Sequence, residues 1–280
     1  MSVVKLYAIA DLHLASGQNR AALRGLPAHP HDWLIVAGDV CEGLALFEEA
    51  MAFLAGRFAR VVWVPGNHEL WLGERSAEGG SPRKYAALVD AARRLGVVTP
   101  EDAYPVWPAT GDVIVPLCTL YDYSFRPAEV PLSEVLRWAA ETRNVCADEH
   151  LISARPMSGM VEWCARRCAE TEGRIRREVP PGAGTILAGH FPLRRDLVRI
   201  PRIPRFTPWC GTVLTEDWHT RFRARVVVSG HLHTRRTDFR DGVRFEEVSL
   251  GYPRQWNDRH GVAAHLREIL PAPAWAGGSP

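Results

Sequence analysis

The sequence predicts an α/β protein whose functional residues gather where strands end. Three observations carry this. Apolar, β-branched segments recur at residues 3–10, 33–37 and 60–64, and each stops at a polar motif: Asp11, Gly38-Asp39 and Gly66-Asn67-His68. Between the second and third, Leu44, Phe47, Met51, Leu54 and Phe58 recur every three or four residues, the period of an amphipathic helix. The same strand-then-motif pattern returns in the last third of the chain. The first part reads β-α-β-α-β, and in open α/β sheets the ligand crevice lies outside the carboxyl ends of the strands.

Further along, Ser81-Pro82 reads as an N-cap followed by proline at the first helical position. Tyr85, Leu88, Ala92 and Leu95 give that helix its apolar face, and Gly96 ends it. Residues 112–120 read as a strand. Residues 122–182 read as mostly helical and separate two β-rich halves, in the manner of an insertion that roofs a pocket. In the longest helix there, Met160, Cys164, Cys168, Thr171 and Ile175 trace the buried face, with Arg166, Arg167, Arg174 and Arg177 off it. Residues 185–188 form a strand ending at Gly189-His190, and residues 225–229 one ending at Gly230-His231-Leu232-His233. Residues 243–250 are the last strand. The expected organisation is one domain over residues 1–270, followed by a disordered Ala-, Pro- and Gly-rich tail over residues 271–280.

Composition excludes several classes. With 280 residues the chain can bury a large core without disulfides or a structural metal. It is 46% hydrophobic and 24% charged, ordinary for a soluble globule. A formal net charge of +2 argues against a nucleic-acid or membrane partner. No apolar run approaches the roughly 20 residues that span a bilayer. Six scattered cysteines without a CxxC pair, and a first strand with no signal peptide before it, indicate free thiols in a cytoplasmic protein. Cys164 and Cys168, four apart on a helix, read as core thiols rather than metal ligands. Lys5 and Lys84 are the only lysines.

Five motifs fall at five strand ends. They are Asp11-Leu12-His13, Gly38-Asp39, Gly66-Asn67-His68-Glu69, Gly189-His190 and Gly230-His231-Leu232-His233. Residues i and i+2 of an extended segment face one side, so Asp11 with His13, and His231 with His233, can enter one pocket in pairs. One such motif is noise, whereas five in order after apolar strands form a set of oxygen and nitrogen donors. Imidazole with carboxylate suits manganese, iron or zinc.

This set resembles the calcineurin-like metallophosphoesterases from Asp11 to His233. The resemblance implies a four-layer α/β/β/α sandwich of two mixed sheets flanked by helices. It implies one divalent ion held by Asp11, His13, Asp39 and His233, and a second held by Asp39, Asn67, His190 and His231. A metal-bridging hydroxide would then hydrolyse a phosphate ester, with manganese the first candidate metal and iron or zinc the alternatives. His68 would lie near the ions without binding them and assist the leaving group. Glu42, three residues after Asp39, matches a carboxylate that orients this histidine; it also fits a first-turn glutamate at a helix dipole.

Protein Ser/Thr phosphatases of this superfamily carry arginines where this chain has Gly43, Leu70 and Trp71, so that activity is not expected. The downstream half is similar to a bacterial branch associated with 4'-phosphopantetheinyl hydrolysis. The likeness rests on Gly189-His190-Phe191-Pro192-Leu193, Trp209-Cys210-Gly211-Thr212, Asp217-Trp218-His219, Asp241-Gly242-Val243-Arg244-Phe245 and Gly251-Tyr252-Pro253-Arg254-Gln255-Trp256. The implied partner is a holo acyl carrier protein. Arg194, Arg195, Arg199, Arg202 and Arg205 then face an acidic carrier or a substrate phosphate, or form a solvated basic loop. Arg202, Arg205 and His219 are the candidate substrate contacts, while Trp209 and Trp218 read as packing. The main alternative is a phosphatase or phosphodiesterase acting on a small phosphorylated metabolite or nucleotide. A nuclease lacks its basic face here, and a non-catalytic module has no lost ligand to mark it.

Overall fold

The structure, a computed structural model, describes residues 3–73, 79–143 and 145–272. β1 (Leu6–Ile9), α1 (Gly17–Arg24), β2 (His29–Ala37), α2 (Leu44–Ala55) and β3 (Phe58–Val64) form the expected β-α-β-α-β run. The three strands pair in parallel, with Leu6 opposite Trp33 and Ile35 opposite Val62. α3 (Asn67–Leu70) and α4 (Gly80–Arg94) follow. β4 (Val113–Pro116) is shorter than the 112–120 segment from which it was expected. The stretch before β5 (Thr185–Ala188) holds α5 (Val135–Ala140), α6 (Asp148–Leu151) and α7 (Met160–Glu178). α8 (Trp218–Arg221), β6 (Ala224–Ser229), β7 (Thr237–Arg240), β8 (Val243–Glu247) and β9 (Arg267–Leu270) complete the chain.

The strands make two mixed sheets of order β3-β2-β1-β9 and β4-β5-β6-β8-β7, flanked by helices. Their alternation builds two cores. Leu6, Ala8, Ile35, Ala37, Val62 and Val64 of the first sheet meet Ile114, Ile186, Ala188, Val226 and Val228 of the second. The opposite faces, with Ile9, Leu34, Val36, Trp63, Val115, Leu187 and Val227, cluster with helix residues such as Phe47, Met51, Leu88, Cys164 and Ile175. Period-two side-chain placement thus buries both faces of each sheet, which is the layered sandwich.

Several local expectations change. Phe58 opens β3 instead of continuing α2, which ends at Ala55 with Gly56 as its cap. Ser81 does not cap α4. Its hydroxyl donates to Leu70 O at 2.7 Å and accepts from Ser153 N at 3.1 Å, tying α4 to two other segments. On α7, Arg166 and Arg177 are exposed as expected, but Arg167 and Arg174 fold back over aromatic rings. Their guanidinium carbons lie 5.3 Å from Tyr85 and 4.6 Å from Tyr104. Long stems let charged heads cover apolar surface, which helical periodicity does not register. Strands β7 and β9 were not expected at all. All six cysteines are free and buried. The tail at residues 273–280 lies outside the described residues. No helix among the described residues is long and apolar enough to cross a membrane.

Candidate metal centre

Backbone pairing continues past the strand ends and assembles the five motifs. Asp11 N donates to Gly38 O at 2.9 Å, His13 N to Asp39 O at 3.0 Å, Gly230 N to His190 O at 2.9 Å and Gly251 N to Asp11 O at 3.0 Å. The i, i+2 pairs do not enter the pocket by extended alternation. Asp11, His13, Asp39, His231 and His233 all take left-handed φ, between 43° and 71°. Such conformations cost non-glycine residues about 1–2 kcal/mol each and persist only where surroundings enforce them. Glycine is required at position 66, where a Cβ would lie 2.1 Å from Asp39 Oδ1.

Six of the seven sequence-predicted ligand residues, with His68, converge in three groups: Asp11, His13 and His233; Asp39, His190 and His231; and His13, Asp39 and His68. Asn67 joins the second group through its Oδ1, 3.2 Å from His190 Nε2. His190 Nε2 also faces His231 Nδ1 at 3.2 Å and Asp39 Oδ1 at 3.4 Å. His233 Nε2 lies 3.0 Å from Asp11 Oδ1 and 3.1 Å from His13 Nε2. A ring nitrogen carries at most one proton, so His190 Nε2 cannot give a separate hydrogen bond to each of its three close neighbours. With metal–donor bonds of about 2.1 Å, adjacent donors stand about 3.0–3.4 Å apart. The residues therefore fit divalent ions, with Asp39 positioned to serve both groups.

The electrostatics point the same way. Asp11 is fully buried. Burial opposes its charge, yet His233 and His190 hold it well below the ordinary carboxylate range. Burial likewise opposes the charge on His190 and His233. The carboxylates of Asp39 and Asp11 outweigh it at His190, raising it to about 10. Asp11, directly bonded, raises His233 to about 9. Burial and the neighbouring His190 depress His231 to about 3. The pocket thus holds protons on some rings and excludes them from others, as crowded donors must.

His68 Nδ1 contacts Glu42 Oε1 at 2.8 Å, while its Nε2 lies 3.8 Å from Asp39 Oδ2. Burial lowers the His68 pKa, but Asp39 and Glu42 together raise it above the ordinary value. Its ring stacks on Trp71, centroids 3.7 Å apart.

Sequence reading missed the residues that hold this set in place. Glu69 accepts from the amides of Asp39, Val40 and Gly66 at 2.9, 2.7 and 2.9 Å, clipping two strand ends together. Its place in the Asn67-His68-Glu69 motif was the available signal. Lys84 donates to Glu42 O at 2.6 Å and to Trp71 O; being one of two lysines in an arginine-rich chain could have flagged it. Ser249 Oγ donates to Asp11 Oδ2 at 2.7 Å. The motif at residues 251–256 supplies Gln255, whose Oε1 is 2.8 Å from His233 Nδ1, and Tyr252, stacked 4.2 Å from His13. Asp148 contacts Asn67 Nδ2 at 3.0 Å, and no local pattern marks it.

The candidate substrate contacts are placed differently. Arg202 is exposed. Arg205 turns onto Glu141 at 2.6 Å and over Trp138 at 4.8 Å, bracing the 3₁₀ segment Pro204–Trp209 against α5. Phe206 of that segment lies 6.2 Å from His231, so the segment borders the pocket. His219 is buried and bonds Asp241 at 2.8 Å, with Arg194 NH1 at 3.4 Å. Trp209 and Trp218 are core residues, as expected.

The family model for calcineurin-like phosphoesterase matches residues 4–235. The chain is 44% identical, over 278 residues, to the [acyl-carrier-protein] phosphodiesterase PptH of Mycobacterium tuberculosis. That alignment covers 98% of this chain and 85% of the relative. The crystal structure of the phosphopantetheinyl hydrolase PptH from Mycobacterium tuberculosis superposes with a TM-score of 0.89 at 43% identity, covering 98% of each chain.

Two predictions follow from the geometry. Glu69→Ala leaves three buried amides without an acceptor, each worth about 1–3 kcal/mol. Chemical denaturation of the metal-free protein should show a loss of at least about 3 kcal/mol, and a loss under about 1 kcal/mol would contradict the clip. Below their raised pKa values His190 and His233 hold protons, and ligation needs neutral rings. Manganese titration at pH 7.5 in dilute buffer should therefore release about two protons per chain. The release should fade as the starting pH passes about 10.

Proposed function

The chain belongs to the calcineurin-like phosphoesterase family, and from that premise we propose that it removes the phosphopantetheine arm from a holo acyl carrier protein by cutting the phosphodiester to the carrier's serine. It is a metal-dependent phosphoester hydrolase. The observation that carries the substrate is the 44% identity to an acyl-carrier-protein phosphodiesterase over 98% of the chain.

We assign one divalent ion to Asp11, His13, Asp39 and His233 and a second to Asp39, Asn67, His190 and His231, with manganese the first candidate and iron or zinc the alternatives. The grouping of these donors supports the assignment. Ions held there would neutralise the phosphoryl oxygens and would make a water nucleophile available at neutral pH. His68 donates a proton from Nε2 to the leaving serine oxygen. Glu42, at Nδ1, fixes the tautomer and keeps the ring protonated. Phe191 and Phe206, packed beside His231, keep bulk water from that side of the pocket. The chain through residue 270 acts as one domain whose 122–182 segment walls a groove for the arm. Exposed Arg202, with Arg195 and Arg199 near it in sequence, offers charge to an acidic carrier, while Arg205 braces the wall. Six free cysteines accord with action in the cytoplasm.

His68→Ala should retain both ions and lose about 10²–10⁴-fold on esters with poor leaving groups. Activity on p-nitrophenyl esters should fall much less, and equal losses would contradict the acid role. Incubation with holo carrier protein should give the apo form, seen as the mass loss of one phosphopantetheine. Arg202→Glu should slow that conversion and weaken its salt dependence while sparing a chromogenic diester. If holo carrier survives while chromogenic esters turn over, the substrate is instead a small phosphorylated metabolite.

A further inference from the structure

Asn67 can present either its oxygen or its amide nitrogen to the pocket, and only the oxygen can serve as a ligand. The choice is made by a residue 81 positions downstream. Asp148, on α6 in the segment between β4 and β5, is 1% exposed. Its Oδ1 takes Asn67 Nδ2 at 3.0 Å and Trp71 Nε1 at 2.6 Å. A carboxylate of this kind only accepts, so it draws the amide nitrogen outward and leaves Asn67 Oδ1 facing His190 Nε2. The same oxygen holds the indole that stacks on His68. Asp148 Oδ2 is buried without a partner.

We propose that Asp148 is a positioning residue of the metal centre: it sets the orientation of Asn67 and, through Trp71, that of His68. This rests on the assignment of Asn67 as a ligand. The helical segment therefore completes the centre as well as walling it. A purely mechanical role for Asp148 is redundant, because α6 and its neighbours are already anchored by Leu72 N to Leu151 O at 2.7 Å and Ser81 N to Ser153 O at 2.8 Å. Neither bond involves the Asp148 side chain.

The test is manganese titration of the metal-stripped full chain by calorimetry, alongside thermal unfolding of the metal-free protein. Asp148→Ala should weaken one of two ions by about 10–100-fold and leave the other unchanged. The metal-free unfolding temperature should fall by no more than a few degrees, because two donors lose their acceptor while a buried charge is removed with it. Asp148→Asn keeps an acceptor at Oδ1 and puts its amide where Oδ2 has no partner, so it should restore binding close to the parent's. Trp71→Phe should leave both ions in place and raise the sensitivity of the rate to the leaving group. If Asp148→Ala binds both ions like a two-ion parent, the positioning role is overturned. Equal weakening of both ions with a lowered metal-free unfolding temperature would also overturn it, in favour of a structural brace. A parent that binds fewer than two ions would remove the metal-pair assignment itself, and this inference with it.

Discussion

Two carboxylates, Asp11 and Asp39, are buried close enough for each charge to oppose the other. Taking an ion out of water costs several kcal/mol unless it is closely matched, and like charges together raise that cost. What faces them is a ring of imidazoles, backbone amides and one serine hydroxyl. Much of the surrounding structure answers this single constraint. The left-handed turns at five of the donor residues aim side chains inward. Glycine at position 66 makes room for the Asp39 carboxylate. Divalent ions would complete the compensation, and they would account for a nitrogen such as His190 Nε2 having more close neighbours than one ring proton can serve.

Around this ring stands a second set of contacts that orients it. Gln255 meets the outer nitrogen of His233, Ala37 O that of His190, Glu42 that of His68, and Asp148 the amide of Asn67. In these four groups the atom that faces the pocket is thus selected by a partner on its far side, the usual way a protein fixes tautomer and ring rotation. These partners come from three stretches of chain, Ala37 and Glu42 lying on either side of Asp39. Sheet pairing alone would bring the strand ends together but would leave the rings free to turn.

The basic residues after His190 show how far charge counts mislead. Arg194 is committed to Asp196 and Asp241, and Arg205 to Glu141 and Trp138. Arg199 stands 3.9 Å from Asp238, and Arg202 remains exposed. Exposed ion pairs of this sort contribute little stability, but they remove charge from any docking field. A cluster of five arginines in sequence is therefore a much smaller positive patch in space.

The sequence by itself determined the strands of the first parallel run, the strand ends as the site, and the eight residues that meet there. These are local properties. Apolar alternation reports a buried strand, and the motif that follows it is covalently attached to that strand's end. Strands β7 and β9 escaped because their reason for existing is elsewhere. Thr237–Arg240 is a mostly polar edge defined by β8, and Arg267–Leu270 pairs antiparallel with β1 across nearly the whole chain. The same holds for Ser81, Arg167, Arg205 and Asp148, whose partners lie between 11 and 81 positions away. Only packing decides which distant group a polar side chain reaches, because a hydrogen bond is set by position in space and leaves no period in the sequence.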